Sequence, residues 1–304
     1  MSIDFAGRVA IVTGAGGGLG RQHALALAAR GAKVVVNDLG GARDGSGGSA
    51  TAAQAVVDEI RAAGGEAIAN GASVTGFDAV QAMAQQAMDA WGRIDILVNN
   101  AGILRDKTFA KMELADFRLV LDVHLMGAVH CTKAVWPIMM AQKYGRIVMT
   151  TSSSGLYGNF GQSNYGAAKL ALVGLMQTLS LEGAKNDVRV NCLAPTAATR
   201  MTEGLMPEAV LQALQPEAVV PAMLVLAAQD APNRTILCAG AGTFEAAHIT
   251  LTQGLWLGME AQTPERLAQQ LEQVTDRTGE TVPLSGGEQG GNEVRKAMAA
   301  VRTL

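Results

Sequence analysis

The chain has 304 residues and a formal net charge of −3 with no long basic run, so it lacks the electrostatic footprint of a nucleic-acid binder and points to a small-molecule partner. Hydrophobic residues make up 49% but aromatics only 4%, so a core must be built from Ala, Val, Leu, Ile and Met, which suits helices packed closely on a parallel sheet. No run approaches the roughly 18 uninterrupted apolar residues that cross a bilayer, Met1–Phe5 lacks a signal pattern, and Arg302-Thr303-Leu304 is not a peroxisomal Ser-Lys-Leu address, so a cytoplasmic protein with no membrane partner is expected.

In chain order, Val9-Ala10-Ile11-Val12 reads as a buried strand stopped by Thr13-Gly14, and a helical pattern opens after Gly20. Between them lies Thr13-Gly14-Ala15-Gly16-Gly17-Gly18-Leu19-Gly20. Glycines let a backbone approach a pyrophosphate closely, and free N–H groups at a helix start favour anionic charge. A strand, a glycine turn and a helix in that order are the context of a dinucleotide site, with Gly14, Gly18, Leu19 and Gly20 as cofactor-binding residues. The next strand, Lys33 to Asn37, ends at Asp38, eighteen residues past Gly20. A carboxylate there accepts hydrogen bonds from the adenosine ribose hydroxyls and repels a 2′-phosphate, so NAD is favoured over NADP. The nearby cations Arg21 and Arg43 read as solvated surface charges.

The loop Leu39 to Ser49 is glycine-rich and reads either as a linker or as a flap over the adenosine. A helix from about Ala50 to Ala63 leads to a third strand, Glu66 to Asn70, with Ser73 and Val74 placed to border the adenine. A helix over Ala79 to Trp91 stops at Gly92, and a fourth strand, Ile94 to Val98, runs into Asn99-Asn100-Ala101-Gly102. Leu114 to Gln142 reads as one long helix containing Gly127 and Pro137. The strand Gly145 to Thr150 ends in Thr151-Ser152-Ser153-Ser154, which brings a hydroxyl to the crevice where open α/β sheets bind ligands. On the helix Ser163 to Gly183, Tyr165 and Lys169 stand at i and i+4 and share one face, a spacing that suits a phenol tuned by a cation for acid/base work. A sixth strand, Val188 to Leu193, precedes Ala194-Pro195-Thr196. Cys131, Cys192 and Cys238 are odd in number and set among apolar neighbours, so they read as reduced, buried hydrophobes and not as a disulfide frame or metal site.

The Thr-Gly-x-x-x-Gly-x-Gly turn, Asn-Asn-Ala-Gly, the serine and Tyr-x-x-x-Lys occur in the order and spacing of a short-chain dehydrogenase/reductase, which the chain resembles over about residues 5 to 245. Val34 to Gly41, Asn99 to Asp106 and Tyr157 to Gln162 resemble the branch formed by the dehydrogenase domains of multifunctional β-oxidation enzymes. The resemblance implies an NAD-dependent (3R)-3-hydroxyacyl-CoA dehydrogenase. A hydroxysteroid dehydrogenase is the alternative within enzymes, and a dinucleotide-binding regulator the alternative outside them. It implies Tyr165 as the acid/base, Lys169 lowering its pKa and holding the nicotinamide ribose, and Ser152 donating to the substrate oxygen. The thirteen-residue spacing to Tyr165 selects Ser152 over Ser153 and Ser154. Asn100, Ala101 and Gly102 would border the adenosine side, and Ala197, Ala198, Thr199 and Arg200 the nicotinamide amide.

Two positions depart from the commoner family pattern. His124 stands where many members carry an Asn, and reads either as a packed residue or as part of a water relay. Pro195-Thr196 replaces Pro-Gly beside the nicotinamide. The expected fold is a doubly wound α/β domain of about seven parallel strands over residues 1–258, in a homodimer or homotetramer joined through the long helices containing Trp136 and Leu172. A C-terminal extension, 259–304, follows. There Thr263-Pro264 starts a helix, residues 278–292 are glycine-rich and polar, and a last short helical piece ends the chain. It reads as a loosely held tail, a docking arm or a lid.

Overall fold

The β-branched runs of the sequence become seven parallel strands: β1 (Val9–Thr13), β2 (Lys33–Asn37), β3 (Glu66–Asn70), β4 (Ile96–Asn99), β5 (Gly145–Thr150), β6 (Val188–Thr196) and β7 (Ile236–Gly240). The computed structural model describes residues 3–42, 44–49, 51–198 and 208–301. An eighth strand, β8 (Thr243–Ala247), completes the sheet in the order β3-β2-β1-β4-β5-β6-β7-β8. It folds back antiparallel through Ala241 and Gly242, both at positive φ, the two-residue turn that matches strand twist. β4 starts later than the sequence suggests because the backbone of Ile94 is bonded on both sides by the Gln142 side chain.

Helices cover both faces of the sheet. They are α1 (Gly18–Ala28), α2 (Thr51–Ala62), α3 (Phe77–Trp91), α4 (Leu114–Leu121), α5 (Gly127–Gln142), α6 (Ser153–Tyr157), α7 (Ser163–Gly183), α8 (Glu208–Ala213) and α9 (Val220–Ala227). The long helix expected over 114–142 is interrupted. A π-helical turn, Asp122–Met126, separates α4 from α5 and carries His124, while Pro137 stays inside α5. Gly127 follows that turn because the helix is pressed against Val74, where an added Cβ would lie within 3.0 Å of the Val74 Cβ.

At the edge of the sheet where the strands begin, buried charge is fully paired. The Asp95 carboxylate, with no exposed surface, accepts from Arg8 Nη1 (3.1 Å), Val9 N (2.9 Å), Arg93 Nε (2.7 Å) and Arg93 Nη2 (2.6 Å). The equally buried Arg146 donates to the carbonyls of Gly145, Asp187, Ala228 and Gln229 and to the Asp187 carboxylate at 3.0 Å. Between them the Tyr144 ring stacks on Arg8 at 3.8 Å and Arg146 at 4.2 Å. These bonds fasten the starts of β1, β4, β5 and β6 to one another.

The chain divides into two compact units, 1–246 and 247–304, so the boundary expected at Gly258 lies inside the second. That unit holds α10 (Thr263–Gln269), α11 (Leu271–Thr275), α12 (Gly286–Val301) and an antiparallel bridge between Leu251 and Thr281. α12 starts well inside the stretch read as glycine-rich coil. Among the described residues no helix is long and apolar enough to cross a membrane.

Arg146→Ala should destabilise the protein by about 3–5 kcal/mol in urea titration, because it strands buried carbonyls and opens a cavity beside Tyr144; a change below about 1 kcal/mol would contradict this account of the network.

Candidate active site

The glycine turn joins β1 to α1, with Gly14 inside it and Gly18, Leu19 and Gly20 opening the helix. A Cβ on Gly20 would collide with the Gly14 carbonyl, and one on Gly16 would sit 2.9 Å from the Asp38 carboxylate. The first turn of α1 has no acidic residue and no side-chain cap, so its N–H groups remain available to an anion. Asp38, directly after β2, accepts from Gly16 N at 2.7 Å through Oδ2 and from Gly40 N at 2.6 Å through Oδ1. Each oxygen keeps a lone pair for a further donor. Arg21 pairs with Glu59 at the surface, as expected of a solvated cation, whereas Arg43 lies outside the described residues.

Asn100 turns out to be a tie. Its Nδ2 donates to the carbonyls of Thr13 (3.0 Å) and Gly14 (3.1 Å), and its N–H and that of Ala101 both donate to Thr13 Oγ1. Gly102 lies against the His124 ring. The Ser73 hydroxyl pairs with Thr75, while Val74 is buried and its carbonyl meets His130 Nδ1 at 2.9 Å. Pro195 and Thr196 continue β6 in register with Ala239 and Gly240 of β7, which settles the backbone at this departure as extended. Ala197 and Ala198 follow the strand; Thr199 and Arg200 lie outside the described residues.

Ser152 caps α6, its Oγ accepting from Ser154 N at 3.2 Å, and its side chain also hydrogen-bonds the Tyr165 phenol. Ser153 is exposed, and Ser154 donates instead to Gln162 Oε1 at 2.8 Å. Tyr165 and Lys169 share a face of α7, with Lys169 Nζ 5.5 Å from the Tyr165 ring centre. The His124 ring meets the Tyr165 ring edge-on at 5.2 Å. Its Nε2 sits 2.8 Å from the Ile103 carbonyl and 3.1 Å from the Ile103 nitrogen, and its buried Nδ1 has no partner among the described residues. Ser152, Tyr165, Lys169 and His124 therefore lie together.

The electrostatics differ from expectation. Burial pushes the Tyr165 phenol above its ordinary value of 10; interaction with the Ser152 side chain pulls it down, and the Asp106 carboxylate pushes it up again. The net displacement is upward, whereas the Tyr–Lys spacing predicts a depressed phenol. Lys169 Nζ donates to the Thr150 carbonyl at 2.6 Å, and burial pushes the ammonium down to about 7. Burial, then the nearby Lys169, holds His124 well below 6.5, against a smaller opposing effect of the Ile103 backbone, so the ring is neutral. A cavity of about 10 Å³, lined by Thr13, Asn99, His124 and Lys169 among others, adjoins the pair. That is room for about one water.

Sequence reading passed over the residues that brace this group. Asn164, fully buried, donates to the Arg105 carbonyl at 3.0 Å and accepts from Tyr165 N at 2.7 Å; Gln162 donates to Asp106 at 2.7 Å. These are contacts between distant segments, and the only local signal is an amide just before the tyrosine.

Fold, glycine turn and hydroxyl–phenol–amine group define an oxidoreductase site for a nicotinamide dinucleotide, and the crowding at Gly16 and Gly20 with a free helix start fits that cofactor. A sequence profile described as short chain dehydrogenase matches residues 8–209, and the chain belongs to that family. The peroxisomal multifunctional enzyme type 2 of Drosophila melanogaster is 50% identical over 263 residues, 86% of this chain and 44% of that protein. Its full-length structure superposes with a TM-score of 0.80 at 38% identity, covering 96% of this chain and 50% of that one. This chain thus spans about half the length of that relative. A 7α-hydroxysteroid dehydrogenase solved with NADH and 7-oxo glycochenodeoxycholic acid gives a TM-score of 0.71 at 31% identity, covering 79% of this chain and 95% of that one.

Lys169 also sets a pH dependence. Its folded pKa of about 7 lies below the unfolded 10.5, so the unfolded chain binds more protons between those values and stability rises with pH from 7 upward. The buried thiols of Cys131 and Cys192, pushed up to about 12 from 9, reverse the trend above pH 9. Unfolding free energy should therefore rise by about 2–3 kcal/mol from pH 7 to pH 9, and in Lys169→Met that rise should flatten. An equal rise in both proteins would count against a depressed Lys169.

Proposed function

We propose that the protein is an NAD-dependent dehydrogenase that interconverts a secondary alcohol and a ketone, with (3R)-3-hydroxyacyl-CoA thioesters as its substrate class. The observation that carries the reaction is the convergence of the Ser152 hydroxyl, the Tyr165 phenol and the Lys169 amine beside the glycine turn. The preference for NAD rests on Asp38, whose carboxylate repels a 2′-phosphate. The substrate class rests on the branch-specific stretches in Val34–Gly41, Asn99–Asp106 and Tyr157–Gln162 and on likeness to proteins named peroxisomal multifunctional enzyme type 2 and peroxisomal hydratase-dehydrogenase-epimerase.

The nicotinamide, when bound, supplies the hydride acceptor or donor. Ser152, now hydrogen-bonded to the Tyr165 phenol, then fixes the substrate oxygen by turning its hydroxyl proton to it. Tyr165 exchanges the reacting proton at that oxygen. Because burial favours the protonated phenol, the site at neutral pH is set to give a proton, and oxidation gains as pH rises. Lys169 titrates near neutrality and stands next to the phenol, which fits it to hold a proton as well as to bind the ribose. His124, kept neutral, orients the neighbourhood of Lys169 and its small cavity and carries no charge.

Likeness to a hydroxysteroid dehydrogenase favours a second reading, a bulky cyclic alcohol. The dinucleotide-binding regulator is disfavoured by the intact proton-transfer group. We also propose a homodimer or homotetramer through α5 and α7. Leu172 itself is buried in the core and can take no part; the exposed apolar residues on α7 are Leu170 and Leu181.

NADH formation with 3-hydroxyacyl-CoAs of several lengths in both configurations, and with hydroxysteroids, tests the reading. The (3R) thioesters should turn over, and Tyr165→Phe should lose about 100- to 10,000-fold in kcat with them. Turnover of steroids alone would transfer the assignment to the second reading. Asp38→Ala should raise the KM for NAD and narrow the preference over NADP; an unaltered cofactor ratio would contradict the role given to that carboxylate.

A further inference from the structure

The loop after Asp38 is not a slack linker. Asp38 Oδ1 holds Gly40 N, Leu39 O holds Ser49 N at 2.8 Å, and Ser46 O holds Ala42 N at 2.7 Å, while the Asp44 carboxylate takes both Ser46 N and Ser46 Oγ. Its tip reaches the segment after β4. Asp44 O accepts from Arg105 Nε at 3.0 Å, and Gly45, at φ +87°, sits so near Ile103 that an added Cβ would lie 3.3 Å from two of its side-chain carbons. In the sheet β2 and β4 are separated by β1. A bridge from the end of β2 to the segment after β4 must therefore pass over the carboxyl end of β1, where the glycine turn begins, at the point where the strand order reverses.

Arg105 is anchored for this task. Its Nη1 donates to Asp116 of α4 at 2.6 Å, and Lys107 joins the same carboxylate at 3.3 Å. The Arg105 carbonyl accepts from Asn164, which in turn holds the backbone N–H of Tyr165. One residue thus ties the loop beside the ribose-reading carboxylate, helix α4 and the start of the catalytic helix.

We propose that Arg105 is a positioning residue that fastens the Asp44–Ser49 stretch as a strap across the dinucleotide crevice and so retains the bound cofactor. This rests on the dinucleotide reading above. The cofactor enters and leaves only when the Asp44–Arg105 and Gly45–Ile103 contacts part.

The test is stopped-flow release of NADH from the full-length protein, chased with excess NAD and followed by nicotinamide fluorescence. Arg105→Met removes a hydrogen bond from a charged donor and should speed release about tenfold. Gly45→Val leaves Arg105 in place but puts a branched side chain at positive φ against Ile103, and should speed release comparably. If Arg105→Met does not fold, Gly45→Val alone decides. Unchanged release in Gly45→Val overturns the strap, whatever Arg105→Met does. A parent protein that binds no NADH removes the strap together with the dinucleotide reading, a result distinct from binding with unaltered release.

Discussion

The tie between Thr13 and Asn100 is the constraint on which the rest of the site depends. β1 and β4 are parallel neighbours whose chains leave the sheet in opposite directions, one into α1 and the other toward α4. A crevice opens between them, and its walls would drift apart without a cross-link. Asn100 supplies it by donating to two successive carbonyls of the departing β1 chain, while Thr13 Oγ1 takes two N–H groups of the departing β4 chain. Four backbone groups that strand pairing leaves unmatched are thereby satisfied, which matters in a region with little water to compensate. The glycine turn on one wall and the Ile103–Asp106 segment on the other inherit their separation from this tie.

The two ends of the sheet treat charge in opposite ways. Where the strands begin, Asp95 and Arg146 are buried but every charged atom has a close partner, an arrangement that holds the fold. Where the strands end, Lys169 is equally buried with a neutral carbonyl as its hydrogen-bond partner, His124 has an orphaned Nδ1, and Asn99 has an orphaned Oδ1. Such groups cost stability, because desolvation is not offset by an opposite charge. Their titration moves toward neutrality as a direct result, and a group that titrates near neutral pH is the kind acid/base chemistry uses. The same burial that weakens the fold locally makes the site responsive to protons.

Much of this was legible in the sequence because parallel strands buried on both faces read as β-branched runs, and because glycine turns and i, i+4 pairs have fixed geometric meaning. Gly14 to Gly20, Asp38, Ser152, Tyr165 and Lys169 all fall where those rules put them. The π-helical turn at His124 was not legible, since such turns are rare and have no residue signature of their own. Nor was β8, whose Ala241-Gly242 turn lacks the Asn-Gly or Asp-Gly signal, or the first turns of α12, whose Gly286, Gly287, Gly290 and Gly291 argue against a helix by propensity. The brace formed by Asp106, Gln162 and Asn164 joins segments more than fifty residues apart, and no local rule reaches that far.

The direction of the proton follows from geometry more than from any single pKa. A lysine i+4 from a tyrosine suggests a cation depressing the phenol, yet depression requires the charge to remain on the lysine. Here burial removes the incentive to stay charged, and the Thr150 carbonyl takes Nζ as its donor. Phenol and amine therefore compete for the same disadvantage, loss of water, and each favours its neutral form. Of the two, only Lys169 is moved close to neutrality, so it is the more readily switched partner. In the proposed reaction Tyr165 would exchange the proton, with Lys169 Nζ 5.5 Å from its ring centre as the nearby group that titrates close to neutrality and Ser152 beside the phenol.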